Sequence, residues 1–199
     1  MSVTNFTDLQ EEVAANASRS DLTSLIPTFI QLAEAEMQRE LKLSELETTA
    51  NVTITSGVGS LPTGYSGARA LYWDGDQEQS LSYVTPDRYN SLLASDTGGT
   101  PRFYTVQANQ LKTLPQGDGT VVMQYLARFT PLSASNTTNA IITNYPDAYF
   151  FGTLMFLYHH ARNWVAKTEQ KAELMRVLAS INKDQKAKKY PGPLEVKPR

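Results

Sequence analysis

Apolar residues fall at helical spacing at both ends of the chain and in an alternating, turn-punctuated pattern between them. Phe6, Leu9, Val13 and Ala17 recur three or four residues apart, the stripe of a short helix that Thr4 or Asn5 would cap. Ser18-Arg19-Ser20-Asp21 breaks the pattern, and a second helix is expected to start near Pro27, a residue suited to a first turn because its missing N–H needs no partner there. Its stripe reads Phe29 or Ile30, Ala33, Met37 and Leu41, with Gln31, Glu34, Gln38 and Lys42 turned outward.

At Thr48 the composition turns β-branched. Residues 48–55, Ala68–Trp73, Gln79–Val84, Arg102–Val106, Gln110–Leu114 and Thr120–Phe129 are predicted strands. Turn material separates them: Ser56-Gly57-Val58-Gly59, Asp74-Gly75-Asp76, Gly98-Gly99, Ala108-Asn109 and Gly117-Asp118-Gly119. Connections this short favour antiparallel hairpins. One short helix interrupts, because Thr85-Pro86 supplies a cap and a first-turn proline ahead of an apolar face of Tyr89, Leu92 and Leu93.

Pro131 to Asn144 is polar and reads as an extended loop. Asn144-Tyr145-Pro146-Asp147 then opens a third long helix, apolar on nearly every side from Tyr149 to Tyr158 and therefore the expected buried centre of a bundle. A fourth helix from about Lys167 has Leu174, Val177, Leu178 and Ile181 as its stripe and continues as a polar end, until Pro191-Gly192-Pro193 forbids more helix. The expected fold is α+β. A four-helix bundle would come from residues 1–47 and 144–189, an inserted antiparallel β-rich region with one short helix from 48–143, and an extended arm from 190–199.

Charge adds a polarity that the net value of −2 conceals. Residues 1–50 hold nine acids and three bases, residues 51–182 nine of each, and residues 183–199 six bases and two acids. Such a chain suits head-to-tail docking or a charged neighbour, and a solvated tail reads equally well. The absence of cysteine removes disulfides, thiolate metal sites and thiol nucleophiles together and fits a protein made in a reducing cytosol. Met1 to Phe6 lacks the basic-then-apolar pattern of a signal peptide, and the longest apolar run falls short of the ~20 residues that span a bilayer, so no membrane role is expected.

Chemistry is hard to find. His159 and His160, adjacent on a helix, point about 100° apart and cannot chelate one ion together; one on the surface and one packed is the expected arrangement. Asp74-Gly75-Asp76-Gln77-Glu78 lacks the spacing and terminal acid of a calcium loop, and a hairpin turn explains it. Gly57-Val58-Gly59 is too short for a dinucleotide fingerprint. No P-loop, nucleophile elbow or triad spacing is present, so neither an enzyme nor a cofactor is expected. The remaining candidate site is the basic tail: Lys183, Lys186, Lys188, Lys189, Lys197 and Arg199, with Tyr190, Leu194 and Val196 as apolar anchors. It could dock on a protein or neutralise phosphates, although only Tyr190 offers a base a surface to stack on.

One resemblance spans nearly the whole chain. Ile26-Pro27-Thr28-Phe29-Ile30 running into Ala33-Glu34, then Arg39-Glu40-Leu41, Leu46-Glu47-Thr48-Thr49-Ala50, Leu61-Pro62 and Leu81-Ser82-Tyr83-Val84-Thr85-Pro86 are the first blocks. Gly99-Thr100-Pro101-Arg102-Phe103-Tyr104, Leu111 to Gly117, Leu132-Ser133 with Asn136 and Asn139, and Pro146-Asp147 with Tyr149, Gly152 and Leu154 follow in order. In these blocks and their order the chain resembles the head–tail adaptor (connector) proteins of tailed bacteriophages. The resemblance implies a structural virion protein that forms a homo-oligomeric ring, typically of twelve copies, between the portal protein and a tail or nozzle protein. Genomic DNA would pass through the lumen at ejection without sequence-specific binding, and no catalytic residues carry over. The basic tail would then be a portal-docking arm. Another ring-forming tail-completion or tail-terminator protein, or a small non-viral binding module, are the alternatives.

Overall fold

The computed structural model describes residues 3–18, 20–41, 46–74 and 79–189. The fold is α+β. In chain order the elements are α1 (Phe6–Ala17), a 3₁₀ turn (Ser20–Leu25), α2 (Ile26–Glu40), β1 (Glu47–Ile54), β2 (Val58–Ser60), β3 (Tyr65–Asp74), β4 (Gln79–Ser80) and β5 (Ser82–Tyr83). Then come α3 (Pro86–Leu93), β6 (Phe103–Gln107), β7 (Gln110–Leu114), β8 (Gly119–Ala127), α4 (Ala140–Asn144), α5 (Pro146–His160) and α6 (Trp164–Lys189). They form two compact units, one drawn from Met1–Glu45 and Phe129–Arg199, the other from Leu46–Arg128.

In the helical unit, local caps start the elements and one apolar helix organises them. The Asn5 side chain accepts from the N–H groups of Thr7 and Asp8, satisfying two donors that the first turn of α1 leaves open. Phe6, Leu9 and Val13 are buried as the stripe requires. The sequence break before α2 is the 3₁₀ turn. Helix α5 touches α1, α2, α4 and α6 and buries Tyr149, Leu154, Met155 and Leu157. Gly152 makes the α2 crossing close: a Cβ built there would stand 3.0 Å from that of Ala33. On α6 the expected stripe of Leu174, Val177, Leu178 and Ile181 is buried.

Three expectations change in this unit. Glu34, placed on the outer face of α2 by its polar spacing, is 4% exposed, because its carboxyl has partners at other points of the chain. Within the presumed loop after Pro131, Asn139 caps a short helix by accepting from the N–H groups of Ile141 and Ile142, both fully buried. Helix α6 begins at Trp164 rather than Lys167, since Asn163 accepts from the Ala166 N–H and so starts the turn earlier. Its polar end packs as well: the Asn182 side chain donates to the Glu40 carbonyl at 2.9 Å, and Gln185, 3% exposed, donates to the Tyr145 hydroxyl at 3.0 Å.

The second unit contains two four-stranded sheets, ordered β1-β8-β3-β4 and β2-β7-β6-β5. Val52, Ile54, Leu71, Val121, Met123 and Tyr125 from the first sheet pack with Leu111 of the second and with Leu81 between them. Ser56-Gly57-Val58-Gly59 is only half a turn. Ser56 and Gly57, with φ of 49° and 76°, make a two-residue reversal closed by hydrogen bonds between Thr55 and Val58, and Val58 already begins β2. Ala108 and Asn109 turn β6 into β7 in the same left-handed conformation. Not every pairing is an antiparallel hairpin: β5 and β6 run parallel, which α3 permits by carrying the chain across. On α3 the Thr85 cap forms and Tyr89 is buried, but Leu93 faces outward at 37% exposure.

Truncating the centre of the helical unit should be costly and its rim should not. Leu154→Ala is expected to lower unfolding free energy by about 2–5 kcal/mol, whereas Gln31→Ala, at an exposed position, should change it by under about 0.5 kcal/mol. Urea titrations of the two variants beside the wild type measure both.

Candidate functional site

Three features of the helical unit carry unusual side chains: a buried carboxyl, a cleft beside it and an exposed aromatic turn. The carboxyl is Glu34. Its Oε1 accepts from the Leu132 N–H at 2.7 Å and from the Tyr149 hydroxyl at 2.8 Å. The same hydroxyl accepts from Asn139 Nδ2 at 2.7 Å, and that amide also donates to the Thr130 carbonyl at 2.9 Å. One hydrogen-bonded chain thus joins α2, the segment before α4, the α4 cap and α5. Burial pushes the Glu34 carboxyl above the ordinary carboxylate range, and the two hydrogen bonds it accepts pull only partly the other way. Burial also raises the Tyr149 hydroxyl, against the Asn139 hydrogen bond and with the Glu34 charge adding to the rise.

Beside this carboxyl opens a cleft of about 370 Å³ lined by Phe6, Pro27, Gln31, Pro131, Leu132 and Ala134 among others. Its walls are mostly apolar.

The aromatic turn joins α5 to α6. Arg162 takes the left-handed conformation, φ 56°, and the N–H groups of Ala161, Arg162 and Asn163 donate to the carbonyls of Leu157, His159 and Tyr158, ending α5. Trp164 and Val165 follow at 56% and 72% exposure. The His159 ring packs edge-on against Trp164 at 5.4 Å, and Lys167 Nζ lies 5.5 Å from the indole centroid. His160 tilts against Phe29 of α2 at 5.6 Å. Both histidines are exposed, so the expected packed one is a correction: a ring at the end of α5 can rest on a neighbouring aromatic without leaving solvent. Among the described residues no group of three His, Asp or Glu side chains could hold a metal ion. No helix there is long and apolar enough to cross a membrane.

Of the basic tail, Lys183 is exposed on α6, while Lys186, Lys188 and Lys189 lie on the last turns of that helix with side chains outside the described set. Tyr190, Leu194, Val196, Lys197 and Arg199 lie outside the described residues. The Asp74 turn is in part outside them too, at residues 75–78; β3 and β4 pair antiparallel across it.

Comparison with known families identifies the chain. The family model described as SU10 adaptor protein matches residues 4–197. The chain belongs to this family of bacteriophage head–tail adaptors. No curated protein matches it significantly.

Two features of the adaptor escaped the sequence reading. Glu34 sat at a polar helical position whose partners are 98 and 115 residues away, so no local signal marked it. Trp164 did carry a signal, a large aromatic next to the capping Asn163 and outside the apolar stripe of α6.

The Glu34 shift has a definite consequence for stability. The folded adaptor holds the Glu34 proton more tightly than the unfolded chain, so this group's contribution is complete below the ordinary glutamate value of 4.5 and is lost as pH rises through the higher folded value. Glu34→Gln keeps a carbonyl acceptor and cannot ionise. Its stability relative to wild type should therefore climb between pH 4 and pH 8 in urea titrations; a constant difference would refute the shift. Tyr149→Phe, which removes the bridging hydroxyl, should cost about 1–3 kcal/mol throughout.

Proposed function

We propose that this adaptor joins the portal vertex of the filled head to the tail or nozzle protein as a homo-oligomeric ring, of twelve copies in keeping with the resemblance, whose lumen passes genomic DNA during ejection. Membership of the adaptor family over residues 4–197 carries the reading. On this view the protein is a virion component made in the host cytoplasm. Its four long helices, α1, α2, α5 and α6, act as a bundle that holds the assembly surfaces, and the β-rich unit supplies a chemically different face. Virion parts that assemble head to tail need two such faces.

The basic tail is the proposed portal anchor. Lysine and arginine heads would pair with portal acids while Tyr190, Leu194 and Val196 supply apolar contact, and the prolines lower the freedom lost when an extended segment orders. The rival role for the same charges, DNA contact in the lumen, rests on the six bases alone.

The free adaptor should be a monomer or small oligomer that becomes a ring on the portal, because it lacks long heptads and large charge and needs a template. Size exclusion with light scattering, with and without tail-less portal-bearing heads, measures this; large stable rings without portal would sink the templating. Packing of α6 persists through Gln185, so truncation after Gln185 removes five of the six bases and all three apolar anchors of the tail and leaves that packing intact. The truncated adaptor should bind DNA-free portal at least about tenfold more weakly. Wild-type affinity would transfer the bases to DNA or solvent.

A further inference from the structure

The segment by which the chain returns to the helical unit, residues 129–139, lies against three helices as a strap. It is fastened at three places. The Leu132 N–H donates to Glu34 of α2 at 2.7 Å, the Thr137 carbonyl accepts from the Phe6 N–H of α1 at 2.8 Å, and Asn139 Nδ2 donates to the Tyr149 hydroxyl of α5 at 2.7 Å. Within the strap, the Asn136 side chain donates to the Pro131 carbonyl at 2.8 Å and Asn139 Nδ2 to the Thr130 carbonyl at 2.9 Å, so its turns hold each other. Pro131, Leu132 and Ser133 make the strap one wall of the cleft, and Glu34 lines the cleft as well.

Of the three fasteners, only Glu34 changes with a proton. Its Oε1 takes both donors, and its Oε2 has no hydrogen-bond partner among the described residues. Ionised, the carboxylate leaves one of its two oxygens unmatched inside the protein, a cost that a facing cation would normally offset. None faces it. Residues 129–145, which make the strap and α4, contain no Lys, Arg, Asp or Glu. On α2 itself the positions three and four residues away are Ile30, Gln31, Met37 and Gln38, all neutral. From α5 the facing group is the Tyr149 hydroxyl, which burial keeps neutral. No charged side chain of α1 or the 3₁₀ turn, Asp8 and Asp21 included, acts on the carboxyl; burial and its two hydrogen bonds do.

We infer that Glu34 is a proton-controlled latch on the strap: protonated, it keeps residues 129–139 shut against α1, α2 and α5, and ionised, it favours their local release. Release brings water to the carboxylate and restores the solvation that burial denies it. Linkage fixes the sign. The closed strap holds the Glu34 proton more tightly than the open one, where the carboxyl meets solvent. Opening therefore grows as pH rises above the ordinary 4.5 and levels off above the higher closed value. This event is local, distinct from the global unfolding that urea measures. The strap is one of the two connections to the β-rich unit, so its release lengthens the free chain on that side while α5 stays folded.

Amide hydrogen exchange of the full chain, divided by the intrinsic rate at each pH, reads the latch. The Leu132 and Phe6 N–H groups sit on two different fasteners. They should lose protection together between about pH 4 and pH 8. Both should be less protected at the upper end than the Leu154 N–H in the middle of α5, where global unfolding sets exchange. In Glu34→Gln, which keeps an acceptor and cannot ionise, the protection of both should stay constant across that range. A fall at Leu132 without one at Phe6 would reduce the latch to a single hydrogen bond and overturn the strap. Strap amides that exchange only as slowly as Leu154 would show no local release and overturn it as well. These two outcomes are read on the wild type and stand even if Glu34→Gln fails to fold. An equal fall in folded Glu34→Gln would assign the proton to another group and overturn the latch.

Discussion

The helical unit depends on one buried carboxyl. The chain leaves this unit after α2 and returns only after the whole β-rich segment, so nothing local holds the outgoing and returning strands of the path together. Glu34 does so. It accepts from the backbone of Leu132 at the point of return and from Tyr149 on the central helix, and Asn139 ties that tyrosine to the start of α4. A buried carboxyl costs solvation free energy, and breaking such a pair leaves polar groups unmatched inside the protein. The arrangement is therefore selective more than strongly stabilising: other ways of closing the two halves would leave Glu34 buried without partners.

Local chemistry was legible and distant chemistry was not. The Asn5 and Thr85 caps, the first-turn prolines of α2, α3 and α5, and the apolar stripe of α6 are decided by residues within a turn of one another, and the sequence predicts them. Glu34 fails because helical spacing shows only that a residue is polar, and its hydrogen-bond partners come from the far side of the inserted unit. Strand β2 fails for a different reason: the left-handed turn uses only Ser56 and Gly57, so Val58 and Gly59 are free to pair with Lys112 and Leu111. Gly59 reads as turn punctuation, but its smallness serves packing, since a Cβ there would lie 2.7 Å from the Thr53 carbonyl oxygen.

The surface shows the same division. The basic tail stands out in composition, whereas the cleft beside Glu34 and the exposed aromatic turn emerge only from the fold. Several blocks behind the family resemblance, Ala33-Glu34, Leu132-Ser133, Asn139 and Tyr149, converge on the Glu34 network. The resemblance thus reports a three-dimensional constraint that no single stretch of sequence reveals.

Strand β1, which opens the β-rich unit, pairs along its whole length with β8, which closes it, and Glu47 stands opposite Leu126. The two points of attachment are therefore neighbours across one ladder, and the Arg69–Glu47 ion pair sits beside them. A unit entered and left through adjacent strands behaves as a cassette. Its eighty-odd residues can be exchanged for another sandwich of the same footprint without lengthening or shortening the path between α2 and α4.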